Sequence, residues 1–203
     1  MKLIKISIII LFLVLVCASL FAQVPGWNWA KGVGSGSDDI SYSVARDNSG
    51  NYYVAGYFSG TASFGSTNLT CSGSGDIFVG KLDPSGNWLW ARKAGGTSHD
   101  VASSIAVDSA GNAYITGNFA SSALVFVSST SLRLNRSGTT GTDLFVAKIN
   151  SNGVWQWARK NSGGGTSLDL GNAIAVDANS NVYMTGYFKN TISFTTATGV
   201  DTL

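Results

Sequence analysis

An all-β fold built from repeated four-stranded units is what this sequence predicts, on three observations. First, Asp76-Ile-Phe-Val-Gly-Lys-Leu-Asp83, Trp88-Leu-Trp-Ala-Arg-Lys93 and Ile105-Ala-Val-Asp108 return almost letter for letter. The copies are Asp143-Leu-Phe-Val-Ala-Lys-Ile-Asn150, Trp155-Gln-Trp-Ala-Arg-Lys160 and Ile174-Ala-Val-Asp177. Second, the apolar runs are short and rich in Val, Ile, Tyr, Phe and Trp, and turn residues punctuate them about every ten positions. Third, no window beyond the N-terminal leader has helical periodicity.

Taken in order, residues 1–22 read as a secretory signal peptide. Lys2 and Lys5 give a positive start, Ile8 to Val16 an apolar core, and Ala18 to Ala22 small residues for cleavage after Ala22. The core is shorter than the roughly 20 residues a membrane span needs, so no transmembrane segment is expected after cleavage. Cys17 follows Val16 rather than a small residue, which disfavours lipoprotein processing. The expected location is secreted or at the cell surface. Residues 23–203 then form the repeat region.

Within it, residues 27–31 read as a lone closing-type strand, 39–93 as a first unit, 100–160 as a second and 169–203 as a partial third. Four strands in meander order start at 40, 52, 76 and 88 in the first copy. Trp29, Trp90 and Trp157 lie 61 and 67 residues apart, while Asp47, Asp108 and Asp177 lie 61 and 69 apart. The added length falls in loops, as in a true structural repeat. The turns Asp47-Asn-Ser-Gly-Asn51 and Asp108-Ser-Ala-Gly-Asn112 suit tight hairpins.

Ile105 and Val107 share one strand face, and the other carries Ser104 and Ala106 without a charge. A strand covered on both faces reads this way. That fits β-propeller blades, shielded by a neighbour on each side, better than a sandwich with a polar outer face. The pattern Ala106-Val-Asp-Ser-Ala-Gly-Asn-Ala-Tyr-Ile-Thr-Gly117, followed by Asp143-Leu-Phe-Val-Ala-Lys148, resembles the bacterial SBBP β-propeller repeat family across most of residues 27–188. The resemblance implies a secreted or surface propeller and brings no catalytic residues with it. A closed ring takes about 4–8 blades. The expectation is therefore an incomplete propeller: a piece of a longer one, a chain whose copies assemble, or an open array prone to self-association at its edges.

One departure from the family is the long stretch between second and third strands. Ala62-Ser-Phe64 pairs with Asn68 to Cys71, Leu124-Val-Phe126 with Leu132-Arg-Leu134, and Ile192-Ser-Phe194 with Val200 to Leu203. Insertions at one position of every unit map to one face, for binding or for covering an edge.

Composition excludes several functions. Removing Lys2 and Lys5 from the 13 basic residues leaves 11, against 11 acids, all aspartate. That near-neutral balance offers no field for nucleic acid. Beyond the leader Cys71 stands alone, so the chain makes no internal disulfide. One histidine (His99), one cysteine and no glutamate leave triads and zinc sites without material.

The remaining candidates recur with the repeat. Asp47, Asp108 and Asp177 are turn residues. A calcium reading, the only cofactor the sequence raises, finds one carboxylate where such a loop wants several. Asp39, Asp100 and Asp169 follow glycine-rich connectors and suit structural hydrogen bonds to connector N–H groups, or else a carboxylate ring at a channel mouth. The pairs Trp27/Trp29, Trp88/Trp90 and Trp155/Trp157 are two apart and are expected to share a face, filling the core or stacking on sugar. Lys81 and Lys148 would pair with an aspartate or snorkel. The expected function is non-enzymatic binding or scaffolding of a protein or glycan partner at the cell surface. A carbohydrate-binding module, or part of a larger polysaccharide-degrading enzyme, is the alternative.

Overall fold

The computed structural model of the chain describes residues 26, 28–129, 131–161, 168–189, 191–195 and 200–202. The expected leader and Trp27 lie outside them. Contacts divide the chain after Ala30, and the strands described below all lie in the unit that begins at Lys31. Residues 28–31, expected as a lone strand, carry no regular structure. A closing strand needs the ladder of a third strand before it, and the residues that would supply one are not among those described.

The described part of the second unit is all strand and turn, with no helix. The first repeat comprises β1 (Ile40–Arg46), β2 (Tyr52–Phe58), β3 (Thr61–Phe64), β4 (Thr67–Thr70), β5 (Asp76–Leu82) and β6 (Trp88–Gly95). The second comprises β7 (Asp100–Val107), β8 (Ala113–Phe119), β9 (Ala123–Phe126), β10 (Leu132–Asn135), β11 (Asp143–Ile149) and β12 (Trp155–Lys160). The third contributes β13 (Leu170–Val176), β14 (Val182–Tyr187), β15 (Ser193–Thr195) and β16 (Val200–Thr202). Strand order β1-β2-β5-β6 recurs as β7-β8-β11-β12. Each complete repeat is thus an antiparallel four-stranded blade with a hairpin inserted between its second and third strands. The architecture is that of an incomplete β-propeller.

The turns explain why strands begin where they do. Asp47 Oδ1 accepts from the amides of Ser49 (3.0 Å) and Asn51 (2.9 Å), and Oδ2 accepts from Asn51 Nδ2 (2.8 Å). Asp83, Asp108 and Asp177 repeat the arrangement with Asn87, Asn112 and Asn181. The turn also needs a left-handed residue. Gly50 (φ 87°) and Gly111 (φ 77°) supply it, but the third copy places Ser180 there at φ 63°.

Each first strand carries a β-bulge. The register with the second strand skips Tyr42, Ser103 and Asn172 in turn. The bulge drives a carbonyl into the partner strand. A Cβ on Gly56, Gly117 or Gly186 would sit 1.9, 1.9 or 2.2 Å from the carbonyl oxygen of Ile40, Val101 or Leu170. Glycine at this position is a packing requirement of the bulge.

Blades lie face to face. β7 packs on β1 and β2, and β13 on β7 and β8. One continuous core joins Tyr53, Val79 and Trp90 of the first blade to Ile105, Ile115 and Trp155 of the second. Burying side chains of this size contributes about 1.5–3 kcal/mol each. A hydrogen bond across the same joint adds only about 1 kcal/mol net, so apolar burial holds the blades and polar contacts set their register. Those contacts recur: Ser43 Oγ accepts from Ile105 N (3.2 Å), and Ser104 Oγ from Ile174 N (3.2 Å). Tyr53 OH donates to Gly111 O at 2.8 Å, and Trp90 Nε1 to Ser151 O at 3.0 Å. The inserted hairpin adds a further tie. β9 pairs with β6 through Ala94↔Phe126 and Gly95↔Val125, so the first blade's sheet runs on to six strands.

Two outcomes follow from this local chemistry. Gly117→Ala should destabilise the chain by about 1–3 kcal/mol in urea unfolding, because an added methyl meets backbone that cannot move cheaply. Ser180→Gly should stabilise it by about 0.5–1 kcal/mol in the same assay, by relieving the left-handed backbone.

Candidate functional site

The recurring polar residues are placed by the blade framework. Asp39, Asp100 and Asp169 stand at the start of each first strand and clasp the loop after the second. Ser59 N donates to Asp39 (3.1 Å), Ala120 N to Asp100 (3.1 Å) and Lys189 N to Asp169 (3.3 Å). Each carboxylate has a further partner. Asp39 takes Ser35 Oγ (3.0 Å), Asp100 takes Ser121 Oγ (2.7 Å) and Asp169 takes Asn161 Nδ2 (2.7 Å). Asp100 and Asp169 are buried, and Asp39 is half-buried.

Burial pushes the Asp100 carboxyl up to about 6, against the lowering effect of the Ser121 hydrogen bonds and with Asp76 adding to the rise.

Sequence reading passed over Asp76 and Asp143, which head the third strands and are buried. Lys93 Nζ lies 3.1 Å from Asp76, and Lys160 Nζ 2.8 Å from Asp143. Each lysine also donates to a hydroxyl of the preceding loop, Ser72 or Ser137, at 2.6 Å. The identical spacing of 17 residues in both copies was the available signal.

A cavity of about 190 Å³ opens at the first turn of each repeat, lined by Arg46, Asp47, Val107, Asp108, Val176 and Asp177. The aspartates at this mouth are therefore the turn aspartates, and their oxygens are occupied. Burial opposes ionisation of Asp47, but hydrogen bonds from Asn51 and Ser49 and the charge of Lys81 hold its carboxyl below the usual range. Among the described residues no group of three His, Cys, Asp or Glu side chains could hold a metal ion.

The tryptophan pairs are split by a second bulge. The register pairs Trp90 with Lys81 and Trp88 with Leu82, leaving Leu89 unmatched; β12 leaves Gln156 unmatched in the same way. Adjacent partners point to opposite faces, so Trp88 and Trp90 do too, contrary to the shared face their spacing suggests. Trp90 enters the joint between blades, edge-on to Tyr53 at 6.0 Å. Trp88 lies beside Phe64 of the inserted hairpin at 5.2 Å. In the second blade Trp155 meets Phe126 at 4.9 Å and Trp157 meets Tyr114 at 6.2 Å. Trp90 and Trp155 are 8% and 1% exposed and present no face to a ligand. Trp29, Trp88 and Trp157 are half-buried.

Lys81 sits 3.6 Å from Asp47 and 4.8 Å over the Tyr53 ring, and Lys148 5.0 Å over Tyr114. His99 is exposed and packs edge-on to Tyr57 at 4.5 Å. Cys71 is a free, half-buried thiol that donates to Gly73 O, and burial raises its pKa.

An open groove lies on the rim. A groove of about 540 Å³ runs between β4, β6 and the turn after β9, lined by Asn68, Leu69, Thr70, Arg92, Val127 and Ser128. Val127 is 44% exposed, and Asn68 is exposed. Both inserted hairpins contribute to it.

Asp100 supplies a pH test. Its folded pKa is raised, so the folded chain holds the proton more tightly than the unfolded one. Stability from this group is present below 3.8 and is lost as pH rises towards about 6. Asp100→Asn should flatten the pH dependence of the urea midpoint across that window while leaving the blade fold intact by circular dichroism.

Two comparisons with known proteins accord with this architecture. Residues 89–118, which run from β6 through β7 to β8, match the family model described as the SBBP beta-propeller repeat. An uncharacterized WD repeat-containing protein of Acanthamoeba polyphaga mimivirus is 29% identical over 199 residues, covering 85% of this chain. The chain spans 14% of that relative's length. The blades and the matched segment agree: the fold is that of an incomplete β-propeller, and residues 89–118 are similar to the SBBP beta-propeller repeat.

Proposed function

We propose that this chain is an extracellular, non-enzymatic module that binds or scaffolds a protein partner through the rim formed by its inserted hairpins. The rim groove carries the reading. It combines exposed apolar and polar side chains, Val127 and Asn68, with the Arg92 stem, a mixture suited to a protein surface. The repeated aspartates and lysines are engaged in turns, clasps and ion pairs, which favours structural over catalytic duty for them. The extracellular placement is supported by the composition of residues 1–22. A glycan is the second reading, with the half-buried Trp88 and Trp157 as separate stacking surfaces on different blades. Self-association through open blade edges is a further part of the scaffolding role.

The test uses fluorescently labelled chain and intact cells of its own source. Asn68→Arg combined with Val127→Asp should reduce surface binding by about tenfold or more, with an unchanged unfolding midpoint. Binding that survives the double change, or that free glycan displaces with protection of Trp fluorescence, would replace the protein-rim reading.

A further inference from the structure

β6 is the outer strand of the first blade, and the strand beyond it covers only one end. β9 meets β6 at Ala94 and Gly95, and the Val127 amide adds one bond to the Lys93 carbonyl at 3.2 Å. Within a strand the N–H and C=O of one residue share a side, and the side alternates from residue to residue. Lys93 faces outward, so Ala91 does too, beyond the point where the β9 ladder stops. The rim groove runs along this stretch. Buried Ala91 lies at its base, with Leu69 of one inserted hairpin and Val127 of the other along it.

This edge is guarded. Arg92 Nη1 donates to Ala91 O at 2.8 Å, while Nε holds Gly153 O at 2.8 Å. Arg159 caps Ala158 O in the same way at 3.0 Å. An uncapped edge accepts any extended chain. Here a guanidinium occupies the carbonyl that a new strand would use. Among the described residues no carboxylate pairs with Arg92. The other cation of the groove, Lys93, is committed to Asp76 at 3.1 Å, and the lining contains no acid.

We infer that the occupant of the rim groove is an extended, acidic segment of a protein partner, which adds to β6 at Ala91 and takes the Arg92 guanidinium onto a carboxylate. This rests on the rim reading above and names the chemistry of its partner. Two observations carry it: the ladder that β9 begins continues into the groove, and the groove holds a cation without a counter-charge. A carboxylate draws the guanidinium off Ala91 O by a charge-assisted hydrogen bond. The freed carbonyl then accepts an amide of the incoming chain. Main-chain pairing supplies affinity, and the acid selects the partner. Leu69 and Val127 give apolar contact to the residues between the acids. A chain without an acid meets the cap still in place.

Fluorescence anisotropy with labelled peptides on the purified chain tests this. The probe is a peptide of about six residues alternating aspartate with valine. Its lysine-for-aspartate counterpart and versions N-methylated at every second residue, in either phase, are the controls. The acidic peptide should bind, less tightly as salt rises. The basic counterpart should bind at least about tenfold more weakly. N-methylation in one of the two phases should abolish binding, because it removes the amide that Ala91 O accepts. The Ala91 amide should shift in NMR spectra of the complex. Arg92→Gln should lower affinity for the acidic peptide to that for the basic one. Because Arg92 also ties Gly153, the peptide arms decide the matter if that variant fails to fold. Absent binding, equal binding of acidic and basic peptides, or binding that survives N-methylation in both phases would overturn the inference. If the Asn68 and Val127 double change abolishes cell binding but the acidic peptide does not compete for it, this inference fails and the rim reading stands. Cell binding that survives the double change removes the rim reading itself.

Discussion

Face-to-face burial between neighbouring four-stranded sheets is the constraint on which the rest depends. The second blade has neither face to give to water, because Ile105 on one face and Tyr114 on the other are both covered. That explains how a chain with only 12% charged residues stays ordered with no disulfide from Cys71. It also fixes what polar residues can do. A charge that enters this environment must bring its partner, and the lysine of each complete blade does so at the aspartate that heads the third strand.

Much of this was legible in the residues. Strand starts at 52 and 88 followed from turn chemistry, since an aspartate oxygen that caps two amides ends one strand and begins the next. The inserted hairpins were legible because apolar alternation returned on both sides of a polar tip. What escaped was geometry without local signature. The bulge that turns Trp88 away from Trp90 leaves out a leucine in one copy and a glutamine in the other, so no residue type marks it. The Asp76–Lys93 pair joins the two ends of a hairpin, and its regular spacing has no local rule to flag it. Residues 28–31 looked like a strand because their letters match β6, yet a sequence copy becomes a strand only where a ladder is offered.

The candidate site was legible only in outline. The insertions pointed to one face, for binding or for covering an edge, and a groove lies between the two inserted hairpins. The carboxylates that looked most functional by recurrence are occupied by backbone amides, hydroxyls and asparagines. Recurrence selects for whatever every blade needs, which is architecture. Features that serve a partner would be expected where copies differ, and Val127, exposed at the lip of the groove, is such a place.

The ladder between β9 and β6 has a consequence for how such chains can be cut and recombined. Ala94 and Gly95 belong by sequence to one blade but are edged by residues 125 and 126 of the next. A border drawn at residue 96 would sever main-chain pairing and leave a raw sheet margin on one fragment. The exchangeable cassette is therefore offset from the sequence repeat, and natural duplication or laboratory grafting that respects the offset would preserve every backbone bond that crosses the seam.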